Sequence, residues 1–174
     1  MEYTYHYTSP LGEITLACAG DRLTGLWFAN QKYYEKTLER EHEEKHLPIF
    51  DETSRWLDQY FSGKIPDFTP PLFLKGTSFR RSVWEILLTI PYGETITYGK
   101  IAEIIAQRKC IAHMSSQAVG GAVGHNLISL IIPCHRVIGT DGSLTGYAGG
   151  LERKRWLLTF EKSVIEINSG TLTN

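Results

Sequence analysis

The stretch from Ile65 to Gly76 does most to limit what this chain can become. Pro66, Pro70 and Pro71 fall within it and its apolar residues show no helical spacing, so regular structure breaks here. A domain boundary is expected near residue 76, giving one domain over residues 1–76 and a second over residues 77–174. At 174 residues the chain is long enough to bury a genuine core.

Ahead of the break the pattern is β. Glu2–Thr8 is rich in Tyr and Thr, Glu13–Cys18 alternates polar residues with Ile14, Leu16 and Cys18, and Leu23–Phe28 follows. Ser9-Pro10-Leu11-Gly12 and Gly20-Asp21 are turn signals, so the three strands read as an antiparallel meander. Tyr33–His46, dense in Glu and Lys, is expected to be a solvated helix ending before Pro48. Thr53–Phe61 is expected to be a second helix, with Gly63 just past its end.

Beyond the break the pattern turns helical. Thr77 or Ser78 caps a helix carrying Phe79, Val83, Ile86, Leu87 and Ile90, which Pro91 stops. Thr97 caps a short helix with Ile101, Ile104 and Ile105 inward, and Ser115 or Ser116 caps a third through Val123. Ser129–Ile132 reads as a short strand leading into Pro133-Cys134-His135-Arg136, and Glu152–Glu161 as a closing helix that buries Trp156, Leu157 and Phe160. The fold class is therefore mixed α/β of the α+β kind. A small N-terminal antiparallel sheet with helices precedes a mostly helical C-terminal domain that contains a helix-turn-helix.

Composition narrows the setting. No run approaches the ~20 apolar residues of a membrane span, and the N-terminus lacks the basic-then-apolar order of a secretory signal. Cys18, Cys110 and Cys134 are too few and too scattered for a disulfide framework, which points to a reducing, cytoplasmic setting. The formal charge of −1 hides an asymmetry: residues 1–76 carry 8 basic against 12 acidic side chains, and residues 77–174 carry 10 against 7. A modestly basic second half is compatible with a polyanionic partner.

Three patterns could carry chemistry. His42-Glu43-Glu44-Lys45-His46 matches the H-E-x-x-H zinc signature, but its neighbours are nearly all polar and Pro48 follows at once, so it reads as a solvated face. Cys134 sits beside His135 and Arg136 at the end of an apolar run, where positive neighbours would lower a thiol pKa. The run Pro133-Cys134-His135-Arg136 by itself leaves open an activated nucleophile or a buried structural cysteine. Cys18 reads as core and Cys110 as incidental. Gly120 and Gly121 are adjacent in a helix at roughly 1 kcal/mol each relative to Ala. Close approach to another backbone explains such a pair, either helix packing within the domain or a nucleic-acid groove.

Taken together, residues 77–161 resemble the O6-alkylguanine-DNA alkyltransferase family, the methylated-DNA–protein-cysteine methyltransferases. The resemblance rests on Pro133-Cys134-His135-Arg136-Val137-Ile138, on Ala118-Val119-Gly120-Gly121-Ala122, on Asn126, and on the run from Gly142 to Leu151. Residues 1–76 are similar, more loosely, to that family's ribonuclease-H-like first domain. The resemblance implies single-turnover DNA repair by direct reversal. A damaged guanine is flipped from the duplex, and Cys134 takes the alkyl group from its O6 (O4-alkylthymine being a further candidate). It implies His135 and Glu161 as a relay through a bridging water, Asn126 bracing the Cys134 turn, and Tyr98 as proton donor to the leaving base. Tyr147, Ala148 and Gly149 would wall the pocket with Lys154 nearby. Ser115, Ser116, Gln117, Ala118, Gly120, Gly121 and Arg136 would meet DNA.

Some positions depart from the family pattern. Gln117 stands where the family usually has an arginine, the loop 106–114 is longer than is common, and Ala19 and Thr24 occupy positions that bear zinc ligands in some relatives. The expectation is double-stranded DNA carrying O6-alkylguanine as partner, no cofactor, no metal, no membrane, and a monomer. A lesion-sensing module without the cysteine chemistry and a thiol or zinc hydrolase are the competing classes.

Overall fold

The structure is a computed structural model that describes residues 1–170, so the last four residues of the expected second domain lie outside the described residues. Two units emerge: Met1–Lys75 together with Leu127–Ile131, and Gly76–Asn126 together with the chain from Ile132 onward.

In the first unit, β1 (Glu2–Ser9), β2 (Gly12–Ala19) and β3 (Arg22–Phe28) form the expected antiparallel meander. Gly20, at φ +60, makes the β2–β3 turn, a conformation that favours a residue without a Cβ. The central strands are covered on both faces, with Ile14, Leu16, Leu23, Leu26 and Phe28 fully buried. Each such side chain contributes about 1.5–3 kcal/mol of transfer free energy. Helix α1 (Pro48–Phe61) supplies part of the cover through Phe50, which stacks on Tyr5 at 5.6 Å, and through buried Trp56, Leu57 and Tyr60.

The segment 33–46 corrects the sequence-based expectation. It is a series of turns ending in a fourth strand, β4 (His42–Glu44), which pairs in parallel with β1 and gives the sheet order β3-β2-β1-β4. Tyr33 and Glu35 take positive φ values of 61° and 52°, which a right-handed helix excludes, and Lys45 N donates to Thr4 O. Pro48 opens α1 at its first position, where its missing N–H leaves no intrahelical bond unmade, rather than merely ending a preceding element. His42 and His46 therefore do not sit one helical turn apart: His42 Nδ1 lies 2.8 Å from Glu39 O, and His46 Nε2 lies 2.7 Å from Asp51.

The outer edge of β3 is occupied by two distant stretches of chain. Leu23 exchanges hydrogen bonds with Pro71 and Phe73, and Leu26 with Leu127 and Ser129. Gln31 Oε1 accepts from both Phe28 N and Ser129 Oγ. The run 129–132 is thus not a strand. Ile128 makes a single bridge to Leu26, and Leu130 takes φ 69 in the turns that follow.

The second unit is built on capped helices. Thr77 accepts from Arg80 N to start α2 (Ser78–Leu87), Thr97 from Lys100 N to start α3 (Tyr98–Arg108), and Ser115 from Ala118 N to start α4 (Ser116–Gly124). Caps of this kind are worth about 1 kcal/mol each. Trp84 of α2 is buried and donates from Nε1 to Ala122 O at 2.9 Å, which fixes α4 on α2. A two-stranded parallel ladder, β5 (Ile96–Thr97) with β6 (Val137–Ile138), joins the α3 start to the residues after Cys134. The closing helix α5 (Leu151–Asn168) is longer than expected. It buries Lys154, Leu157, Glu161 and Val164, whereas Trp156 stacks on Phe160 at 4.9 Å and stays exposed, against expectation.

Candidate active site

Cys134 opens a 3-10 turn, Cys134–Arg136, in which Arg136 N donates to Pro133 O. In an extended chain adjacent side chains point to opposite faces, and this turn removes that obstacle to cooperation between Cys134 and His135. Asn126 braces the turn from the end of α4. Its Nδ2 donates to Ile132 O at 2.8 Å and to Cys134 Sγ at 3.1 Å.

The thiol is only 3% exposed. Burial pushes its pKa up to about 11, while the Asn126 amide, the Lys154 charge and the backbone N–H groups of Cys134 and His135 pull it down. Positive neighbours therefore do not create a resting thiolate, as the sequence pattern suggests; burial outweighs them and a base is required.

The next residue in the turn is an imidazole paired with a carboxylate. His135 is fully buried, and its Nε2 lies 2.6 Å from Glu161 Oε2 on α5. Burial lowers the His135 pKa, Arg136 and Lys154 lower it further, and Glu161 opposes them. For Glu161, burial pushes up, but the charges and hydrogen bonds of His135 and Arg136 hold the carboxyl down at about 2. An ionised carboxylate can only accept, so Nε2 carries the proton and donates. Nδ1 is left with its lone pair, buried and without a hydrogen-bond partner among the described residues.

Arg136 lies elsewhere than the resemblance implies. It is 8% exposed and faces the interior, where Nε donates to Glu161 Oε1 at 2.6 Å, Nη2 to Oε2 at 3.2 Å and Nη1 to Ile90 O at 2.7 Å. Its guanidinium also lies over the Tyr92 ring at 5.5 Å, and Gly93 N donates to Glu161 Oε1 at 3.2 Å. Nothing in the local sequence announces Ile90, Tyr92 and Gly93 as part of this cluster, because their partners lie more than 40 residues away.

Lys154 is likewise interior. Its Nζ donates to Val137 O at 2.5 Å, Thr145 O at 3.0 Å and Gly146 O at 3.2 Å, and burial lowers its pKa to about 8. Tyr98, at the start of α3, donates its hydroxyl to the same Thr145 O at 3.1 Å, and burial raises its pKa. Two elements thus pin the loop that carries Tyr147, Ala148 and Gly149. Tyr147 stands edge-on to His135 with ring centroids 6.5 Å apart; Ala148 is half-buried and Gly149 buried.

On α4, Ser115, Ser116, Gln117, Ala118 and Gly121 are exposed. A Cβ added at Gly121 would meet nothing within 4 Å, and one at Gly120 would make ordinary contact with Tyr98 at 3.8 Å. Packing inside the unit therefore does not require these glycines. Among the described residues no group of three or more His, Cys, Asp or Glu side chains is placed to hold a metal, and no helix is long and apolar enough to cross a membrane.

A buried thiol held by Asn126, a histidine–carboxylate pair in the same turn and a capped helix with an exposed small-residue face are the features of a protein whose own cysteine carries the chemistry. Residues 78–163 match the family profile described as 6-O-methylguanine DNA methyltransferase, DNA binding domain, and residues 1–74 match the ribonuclease-like domain of the same family. The chain belongs to the 6-O-methylguanine DNA methyltransferase family. It is 47% identical over 155 residues, 89% of each chain, to the methylated-DNA–protein-cysteine methyltransferase of Mycobacterium tuberculosis. It is 41% identical over 170 residues to that of Haemophilus influenzae, covering 97% of this chain and 90% of the relative. The crystal structure of Mycobacterium tuberculosis OGT in complex with DNA superposes with a TM-score of 0.79 at 44% identity, covering 94% of this chain and 93% of that one.

Proposed function

We propose that this protein repairs DNA by direct reversal, moving the alkyl group of O6-alkylguanine onto its own Cys134 once per molecule. The observation that carries the reading is the pairing of His135 Nε2 with Glu161 at 2.6 Å, which leaves the buried Nδ1 as a base beside a thiol that needs one. The thiol proton passes through an intervening water to Nδ1, and the imidazolium formed is held against Glu161. The Sγ lone pair then forms a bond to the alkyl carbon as the carbon–O6 bond breaks. That electron pair stays on guanine, which takes a proton from the Tyr98 hydroxyl. Tyr98 regains a proton by way of His135, so the thiol proton ends on the base. Tyr98 donates to Thr145 O and exchanges that bond to reach guanine.

Asn126 and Lys154 favour the thiolate by a hydrogen bond and a charge, and Lys154 also anchors the loop of Tyr147, Ala148 and Gly149 that walls the pocket. The α4 face of Ser115, Ser116, Gln117, Ala118, Gly120 and Gly121 lies against double-stranded DNA, and Gln117 fills the gap left by the flipped base. Residues 1–76 act as scaffold and 77–174 as DNA-binding and acceptor domain, in a monomer working in the cytoplasm.

Intact-mass measurement after incubation with O6-methylguanine duplex tests this. One methyl increment on the peptide holding Cys134, absent in Cys134→Ala, is expected. Binding without an increment supports a sensor, and repeated turnover of a peptide or ester supports a hydrolase; either overturns the proposal.

A further inference from the structure

We propose that Arg136 is a positioning residue for this transfer: its guanidinium grips both oxygens of Glu161 and thereby sets the orientation and strength of His135 as the base. The inference rests on the proposed alkyl transfer and removes Arg136 from the set of DNA contacts.

The geometry is that of a fork in which each of the three guanidinium nitrogens is engaged. Nε and Nη2 meet the two oxygens of Glu161, Nη1 is bound to Ile90 O, and the plane of the group lies over Tyr92. A guanidinium holding one carboxylate at two points fixes its plane as well as its place, which an ammonium cannot do. Glu161 also accepts from Gly93 N, so the Arg136 guanidinium and a backbone N–H both hold the carboxylate alongside His135. Among the described residues Nε2–Glu161 is the one hydrogen bond of the His135 ring, so within its packed site, with Tyr147 edge-on to it, that carboxylate sets the direction of the ring nitrogens. Whatever tilts Glu161 therefore tilts the Nδ1 lone pair.

Charge works in the same place. The ionisable groups that face His135 are Glu161 and Lys154 from α5, Cys134 and Arg136 from its own turn, and Tyr147 from the pocket loop; Tyr92 faces the same carboxylate from the turn before β5. Arg136 opposes a proton on His135, both by its own charge and by sharing Glu161. Without it the imidazolium is more easily formed, so His135 remains protonated to higher pH and is unable to accept from the thiol there.

The experiment compares wild type, Arg136→Lys and Arg136→Gln. Single-turnover transfer from saturating O6-methylguanine duplex is followed from pH 5 to 9, with iodoacetamide alkylation of Cys134 as a DNA-independent probe of the same base. For R136Q the acid limb of both profiles is expected to move to higher pH by at least half a unit, with the plateau rate falling ~10-fold or more as alignment loosens. R136K, which keeps the charge but not the fork, is expected to lose rate with a smaller shift in the same direction.

A limb that stays in place in a folded variant overturns the proposal, because a merely structural role lowers rates without moving it. An unchanged transfer profile with weaker DNA binding and a shallower salt dependence also overturns it and returns Arg136 to the phosphate contacts. If R136Q does not fold, R136K decides by the pH midpoint of the His135 15N signals, which must move. Wild-type methylation of Cys134 is measured in parallel. Its absence refutes the transfer reading itself, whereas its presence with an unmoved limb refutes only the role of Arg136.

Discussion

Replacing Gly121 by alanine should push folding and DNA binding in opposite directions. The added Cβ meets no protein atom within 4 Å, and the backbone there is helical, so the folded unit accommodates it without strain. Alanine in a helix interior is favoured over glycine by about 0.8–1.0 kcal/mol. For a chain of this length that raises Tm by about 2–4 °C. The same methyl projects from the exposed face of α4, between Gln117 and Gly124. If that face lies against a groove wall, one methyl of overpacking costs about 1–3 kcal/mol, on the order of 10- to 100-fold in Kd. Calorimetry and a fluorescence-anisotropy titration with O6-methylguanine duplex measure the two effects on one sample. A G121A protein that is stabilised yet binds with wild-type affinity would refute the idea that α4 meets DNA here. A destabilised one would refute the claim that the glycine is not needed for internal packing.

Three further outcomes follow from the site. Gln117→Arg should bind duplex more tightly and steepen the slope of log K against log salt by about 0.9, the increment for one added phosphate contact; an unchanged slope argues against Gln117 lying at the duplex. Asn126→Ala removes the donor to Cys134 Sγ, a bond worth about 1.5–3 kcal/mol to a thiolate, so transfer should slow on the order of 10- to 100-fold at neutral pH, and a wild-type rate would show the bond to be idle. Glu161, held at about 2 against an ordinary 4.5, stabilises the fold fully above pH 4.5, and that contribution fades as pH falls toward 2. The gap in denaturant midpoint between wild type and Glu161→Gln should therefore narrow steadily between those pH values, and a constant gap would contradict it.

Local signals in the sequence identified local structure. The turns at Ser9–Gly12 and Gly20-Asp21, and the caps Thr77, Thr97 and Ser115, act within four residues, and each lies where its residues dictate. What depends on distant pairing was not legible. The Glu- and Lys-rich run at 33–46 suits a helix by composition, but β1 offers it an edge, and Asn30, Tyr33 and Glu35 turn the chain toward that edge. Ile96–Thr97 and Val137–Ile138 are too short to read as strands and exist only because they pair. In the site, the Cys134–His135–Arg136 run left an activated nucleophile and a buried structural cysteine both open, and it carried no sign that burial outweighs the positive neighbours in shifting the thiol. Nor could it say that Arg136 faces Glu161, 25 residues further on, since one arginine reads alike whether it meets a phosphate or a buried carboxylate.

The burial of Cys134 has a consequence for a molecule that is spent by its own reaction. A thiol whose pKa burial pushes up to about 11 is overwhelmingly un-ionised at neutral pH. Peroxides and stray electrophiles attack the anion, so the unused protein is shielded from the encounters that would waste it. On the proposed reading each molecule that escapes such encounters stays available for a lesion, so the stock of protein is drawn down chiefly by damage and only slowly by time.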